Sequence, residues 1–260
     1  EDEILTRVYD LANKEYVGYQ HAFRSNNFLS RFRVKKSFEK IEEKIILQNQ
    51  RVFDEVARIK ETYKFVGAFQ TRNIPHFGHE KIIERMLELC DHVVINPVIG
   101  PKKSGDVKLE VLEMIYEYLI SHKYEYRISF LPIFANMFYA GPNEAIHHAI
   151  LRQKVGFDLF SVGRDHAGAQ AAYLPSLAVE KLVENEKNLN IKIFGHHGAV
   201  FCDTCNSAVL FGECDHNVKK YKDIAGTQFR LSIRNNEIFP FADKEMQSYL
   251  KSSNLEVFEE

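Results

Sequence analysis

An α/β fold, in which helices cover both faces of a parallel sheet, is predicted by two observations on this 260-residue chain. From Tyr63 onward, short apolar runs alternate with amphipathic segments of helix length, the pattern of successive βαβ units. The polar clusters then fall just behind the apolar runs, where parallel sheets bind ligands at the carboxyl ends of their strands.

The elements follow in order. Residues 1–62 carry no evident site. Within them, "KSFEKIEEKIILQNQRVFDEVARIKE" places Phe38, Ile41, Ile45, Phe53, Val56 and Ile59 among charges, which predicts one or two amphipathic helices in a packing or connecting segment. "YKFVGAF" predicts a first strand and "HEKIIERMLELC" the helix after it. "DHVVINPVIG" predicts a second strand, before a helix with Leu109, Leu112, Ile115, Tyr116 and Leu119 on one face. "YRISFLPIF" leads into the helix "NEAIHHAILRQKV", "FDLFSVG" into "SLAVEKLVENEKN", and "NIKIFGHH" supplies a fifth strand. The remaining residues change character, with a cysteine cluster, "IAGTQFRLSIRNNEIFPF" and a closing helix "DKEMQSYLKSS". The expected division is a helical segment at 1–62, a catalytic domain at 63–198 and a small C-terminal subdomain at 199–260.

Composition sets outer bounds. With 45% hydrophobic and 27% charged residues, and 34 basic against 36 acidic, the chain is that of an ordinary globular protein able to bury a core. A net charge of -2 argues against a broad nucleic-acid surface, while a local anion pocket needs only a few cations. No window approaches the roughly eighteen apolar residues of a membrane span, and the first twenty residues do not resemble a secretory signal, so a cytoplasmic location is the expectation.

The stretch "FVGAFQTRNIPHFGHEKII" runs from the first strand into the first helix. Pro75 suits a first helical turn, where no N–H donor is needed. His76 and His79, three apart, then project from one side of the helix amino terminus, where backbone N–H groups and the helix dipole favour phosphate oxygens. A single histidine here would read as a structural residue; a pair beside Gln70, Arg72 and Asn73 reads as an anion site.

The H-x-G-H pattern resembles the signature of the nucleotidylyltransferase superfamily. "AFQTRN" with the two histidines, "AGPNEAIHHAILR", "VGRDHAG" and "IAGTQFR" stand in the order and approximate spacing of the ATP sulfurylase (sulfate adenylyltransferase) family. "NPVIGPKKSGD" is similar to that family's second-strand segment, and the resemblance runs from about Phe65 to Pro240.

The resemblance implies a Rossmann-like catalytic domain that transfers AMP from ATP to sulfate, giving adenylyl sulfate and pyrophosphate. It implies that Gln70, Arg72 and the backbone N–H of Ala167 hold sulfate. It further implies that Gln70, Thr71, Asn73, His76, His79, Gly163, Arg164, Asp165, His166 and Ala199 hold ATP. Thr71, Arg72, Asn73, His76 and His79 form the implied catalytic set, Mg²⁺ arrives with ATP, and the assembly implied is a homodimer. Without an evident Ser-His or Cys-His pairing, direct in-line displacement is expected. The chain departs from the family's pattern at Phe138 and Asn143, where basic residues are usual, and at Ala225, where a hydroxyl is usual. Transfer to another small oxyanion, or a nucleotide-binding regulatory role, are the alternatives.

"CDTCNSAVLFGECDH" offers Cys202, Cys205, Cys214 and His216 in a C-x₂-C-x₈-C-x-H spacing. Four soft or borderline ligands in two short pairs suit a structural, tetrahedral Zn²⁺. Some bacterial members of the resembled family carry a similar site. A redox role for the C-x₂-C pair is the rival, without thioredoxin-like surroundings to support it. Cys90 reads as a small core residue.

Overall fold

A computed structural model describes residues 35–100, 105–164, 166–167, 173–174 and 176–259, and of residues 35–46 and 48 the backbone alone. The expectations for residues 1–34, for 101–104 of the "GPKKSGD" segment, for Asp165 and for the side chains of Phe38, Ile41 and Ile45 lie outside the described residues.

One long helix, α1 (Lys35–Thr62), precedes the sheet. Five strands then pair in parallel: β1 (Val66–Phe69), β2 (His92–Ile95), β4 (Ile128–Phe130), β6 (Leu159–Gly163) and β7 (Lys192–His196), in the order β4-β2-β1-β6-β7. The register places Phe69 of β1 opposite Ile95 of β2 and Ser161 of β6. Each of the predicted second and third strands is interrupted at a proline. Pro97 separates β2 from β3 (Val98–Ile99), and Pro132 separates β4 from β5 (Ile133–Phe134); β3 and β5 pair separately. A proline offers no N–H to a ladder, so the run breaks there.

The helices are α2 (Phe77–Leu89), α3 (Leu109–His122), α4 (Pro142–Val155) and α5 (Leu177–Glu184). Successive side chains on a strand face opposite sides, so β1 and β2, buried throughout, feed two cores. Phe69, Val93 and Ile95 join the α2 and α3 residues Ile83, Met86, Val111 and Ile115. Val66, Ala68 and Val94 join Val56 of α1, Ala145 and Ala149 of α4, and Leu182 of α5. Gly67 lets α2 lie close, since a Cβ there would sit 3.0 Å from Cys90 Sγ and from Met86 Cε. Cys90 is buried, its thiol donates to the Met86 carbonyl at 3.1 Å, and burial pushes its pKa up to about 11.

Beyond β7, β8 (Ala199–Cys202), β9 (Ser207–Leu210) and β10 (Tyr221–Asp223) form an antiparallel sheet of three strands. Helices α6 (Gly226–Arg234) and α7 (Lys244–Ser252) follow, and Phe229, Phe239, Met246 and Leu250 share the α2–α3 core. Among the described residues, no helix is long and apolar enough to cross a membrane.

Candidate active site

The strand order reverses between β1 and β6, because β2 and β4 lie to one side of β1 and β6 and β7 to the other. Loops leaving these two strands diverge and leave a crevice between them. A cavity of about 300 Å³ lies there, lined by Gln70, Thr71, Arg72 and Asn73 from the loop after β1, His79 from α2, and Gly163, His166 and Ala167 from β6 and its loop. Of the residues expected at the site, His76, Arg164 and Ala199 are not among those lining it.

His76 is the N-cap of α2, with extended backbone angles and Nδ1 accepting from the Gly78 N–H at 3.1 Å. Pro75 therefore precedes the cap instead of occupying the first turn, because the imidazole itself satisfies an open amide of that turn. The expected set of free helix amides is also reduced, since the Phe77 N–H donates to the Phe241 carbonyl at 2.8 Å. What remains is the dipole and the imidazoles. The His76 ring stacks on His79, centroids 3.9 Å apart, and Ala199 packs near Gly78 behind them. Burial lowers His76 to about 4 and His79 well below its usual value, so both are neutral near pH 7.

His79 Nε2 lies 3.5 Å from Thr71 Oγ1, which accepts the Asn73 N–H at 3.2 Å. His79 Nδ1, Gln70 Oε1 and Asn73 Oδ1 are buried with no hydrogen-bond partner among the described residues. With Asp106 Oδ1, four such atoms belong to residues that line the cavity and mark groups that bind through water or ligand, since buried polar atoms are otherwise paired. Arg72 carries the positive charge of this wall, its guanidinium 5.9 Å from the Tyr139 ring centroid. Arg230 of α6 lies near enough that the Arg72 charge, after burial, helps lower its pKa, and it sits 3.7 Å from Asp106. Ala167 takes a left-handed conformation, φ 53°, and its carbonyl accepts from the Gly141 N–H at 3.2 Å. Its own N–H has no acceptor among the described residues.

Several lining residues were not singled out from sequence: Asp106, Tyr139, Ser161 and His196. His196 could have been found from the paired histidines that end the fifth strand. Its Nδ1 accepts from the Gly198 N–H at 3.2 Å, so Nε2 carries the proton towards Ser161 Oγ, also at 3.2 Å. Phe138 and Asn143 stand at the start of α4; the Phe138 ring meets His147 edge-on and its N–H donates to Glu144.

Away from the cavity, Cys202, Cys205, Cys214 and His216 bring one ligand atom each to within 4.8 Å of one another. His216 Nδ1 lies 3.5 Å from Cys202 Sγ and 3.3 Å from Cys205 Sγ. Three sulfurs and one imidazole nitrogen at such spacing suit a tetrahedral metal ion.

A family model described as ATP-sulfurylase matches residues 43–251. The sulfate adenylyltransferase of Pyrococcus abyssi is 42% identical over 176 residues, covering 67% of this chain and 46% of its own length. That of Carboxydothermus hydrogenoformans is 38% identical over 180 residues, covering 68% and 47%. The chain thus spans about half the length of the curated relatives it matches. Among solved structures, the hexameric APS kinase from Thiobacillus denitrificans matches with a TM-score of 0.57 at 14% identity, over 77% of this chain and 38% of that one, a likeness of fold alone.

Proposed function

We propose, from the premise that this chain belongs to the ATP-sulfurylase family, that it is a sulfate adenylyltransferase, converting ATP and sulfate into adenylyl sulfate and pyrophosphate. The observation that carries the reading is one cavity, at the point where strand order reverses, holding Gln70, Arg72, His79 and His166 together.

In this reading Gln70, Arg72 and the Ala167 N–H hold the sulfate, the planar guanidinium matching two oxygens of a tetrahedral dianion. Thr71, Asn73 and His79 hold the phosphates of ATP, while Gly163 and His166 form the nucleoside wall of the cavity. His79 meets the ligand from the cavity wall, and His76 supports it through the ring stack and the cap. A sulfate oxygen attacks the α-phosphorus, an O–P bond forms, and the bond from the α-phosphorus to the bridging oxygen breaks as pyrophosphate leaves. No proton needs to move, because sulfate is already an anion. The barrier lies in bringing like charges together, so positioning and charge neutralisation supply the catalysis. Mg²⁺ bound with ATP would neutralise part of the polyphosphate charge. We assign Zn²⁺ to Cys202, Cys205, Cys214 and His216, where it would cross-link the β8–β9 hairpin to the segment before β10.

The test supplies purified protein with adenylyl sulfate and pyrophosphate and follows ATP formation. ATP is expected; no ATP from a protein that binds ATP tightly would remove the sulfate assignment. Phe138 and Asn143, uncharged where relatives are usually basic, favour a second reading in which another small oxyanion is the acceptor. Pyrophosphate release across a panel of oxyanions distinguishes the two.

A further inference from the structure

Behind the cavity, α4 carries Glu144, His148 and Arg152 on one buried face. Residues four apart on a helix are neighbours, so these form a row. A buried carboxylate, imidazole and guanidinium demand partners. The two Glu144 oxygens accept the Phe138 N–H at 2.8 Å and the Ala140 N–H at 2.9 Å. One of them lies 3.4 Å from His148 Nε2, close enough for a charge contact but outside hydrogen-bond geometry. His148 Nδ1 in turn is 3.0 Å from His166 Nε2, and His166 lines the cavity. Arg152 donates to the Asn96 carbonyl at 3.0 Å and lies 5.2 Å from the Phe160 ring centroid.

The direction of this chain of contacts follows from counting protons. An ionised Glu144 facing His148 Nε2 at that distance repels a lone pair and attracts an N–H, so His148 Nε2 carries the hydrogen. Burial first, and then the Arg152 charge, hold His148 neutral, which leaves its Nδ1 as a lone pair. His166 must therefore donate from Nε2. Burial holds His166 neutral too, so its Nδ1 is also a lone pair, and it has no partner among the described residues. The two nitrogens lie on opposite edges of the ring, so Nε2 turned towards α4 leaves Nδ1 on the other edge. An acceptor repels phosphate oxygens and attracts O–H or N–H groups.

We propose that Glu144 and His148 are positioning residues that hold His166 as the Nε2–H tautomer, so that its Nδ1 accepts a hydrogen bond from a hydroxyl or amino group of the nucleoside part of the substrate. The ligand assignment rests on the nucleotide reading above; the tautomer does not. It also gives the family-like sequence "NEAIHHAILR" a purpose beyond packing, since its Glu144 and His148 both act on a residue of the β6 loop.

Nitrogen NMR of the full chain labelled at histidine tests the tautomer at pH 8, above the Glu144 value of about 7. His166 is expected to show a protonated Nε2 and an unprotonated Nδ1. His148→Leu is expected to lose that single tautomer and to weaken ATP binding about tenfold, with pyrophosphate binding unchanged. His148→Gln is expected to restore both, because its amide nitrogen can donate to Glu144 while its oxygen accepts from His166. A wild-type His166 protonated at Nδ1 would overturn the proposal, as would Leu and Gln variants that bind ATP alike. Equal loss of ATP and pyrophosphate binding would also overturn it, marking general damage. Should the Leu variant not fold, the wild-type spectrum and the Gln variant still decide. A wild-type chain that binds no ATP sinks the nucleotide reading, and the spectrum still judges the tautomer.

Discussion

His76 and His79 stack with ring centroids 3.9 Å apart and planes 33° from parallel, yet only His79 lines the cavity. Spacing in sequence treats the two histidines as equals. Their surroundings divide the labour: the N-cap position occupies Nδ1 of His76, while Nδ1 of His79 stays without a partner among the described residues.

This division predicts different variant phenotypes. His76→Asn keeps a side-chain acceptor for the Gly78 amide, so stability should stay within about 0.5 kcal/mol, whereas His76→Ala should lose about 1 kcal/mol. Both remove the ring that supports His79 and should slow ATP formation. His79→Ala should cost more, at least 100-fold, because in the proposed reading it removes a group at the developing charge. Thermal melts and initial rates on the three proteins check the order; a His79→Ala variant at wild-type rate would remove the histidine from catalysis.

Arg72→Lys should not be conservative. A lysine keeps the charge but not the two-pronged donor face, nor the guanidinium's contact with the Tyr139 ring. The expected result is a rise in KM for sulfate of about tenfold or more, with a smaller change for ATP. Equal effects on both substrates would mean that Arg72 serves the nucleotide instead.

The metal assignment predicts one Zn²⁺ per chain by native mass spectrometry. Cys202→Ser should abolish it and lower the melting temperature by about 10 °C, equivalent to roughly 3 kcal/mol at this chain length. Retention of the metal in that variant would rule out the four-residue site.

Acid should destabilise the fold. Burial lowers His76, His92 and His196 to about 4 and pushes His79, His148 and His166 down as well. A histidine held neutral takes up its proton more readily when unfolded, so its contribution is complete above about 6.5 and is lost as pH falls towards 4. For His76, only 6% exposed, the upper limit is about 3 kcal/mol. Glu144, raised to about 7 by burial, acts the other way: its protonated form suits the fold, so its contribution declines as pH rises from about 4.5 to 7. With His147 also lowered by burial and Glu80 also raised by it, seven imidazoles outweigh two carboxyls, and denaturant midpoints should fall between pH 6.5 and 4. A flat profile across that window would contradict the burial of these rings.

Much of the fold was legible in the sequence because strand and helix periodicities differ, and each of the five sheet strands lies within an apolar run read from the chain. The breaks at Pro97 and Pro132 were readable in principle, since proline lacks the N–H that a ladder needs. The Cys202–His216 cluster was equally legible, because its ligands are close in sequence. The buried row on α4 was hidden. Glu144, His148 and Arg152 resemble a solvated face in one dimension, and only tertiary packing, which brings His166 to His148 and the Asn96 carbonyl and Phe160 ring to Arg152, buries them.

By itself, then, the sequence determined which segments become strands and helices, the family, and the local clusters of polar groups, all of which depend on neighbours a few residues apart. The tertiary structure alone decided that β1 and β6 would adjoin, that Asp106, Tyr139 and His196 would share a cavity with Arg72, and that His76 would stand behind His79. The physical reason is that strand order, burial and the direction of a hydrogen bond depend on groups distant along the chain, and no local pattern records them.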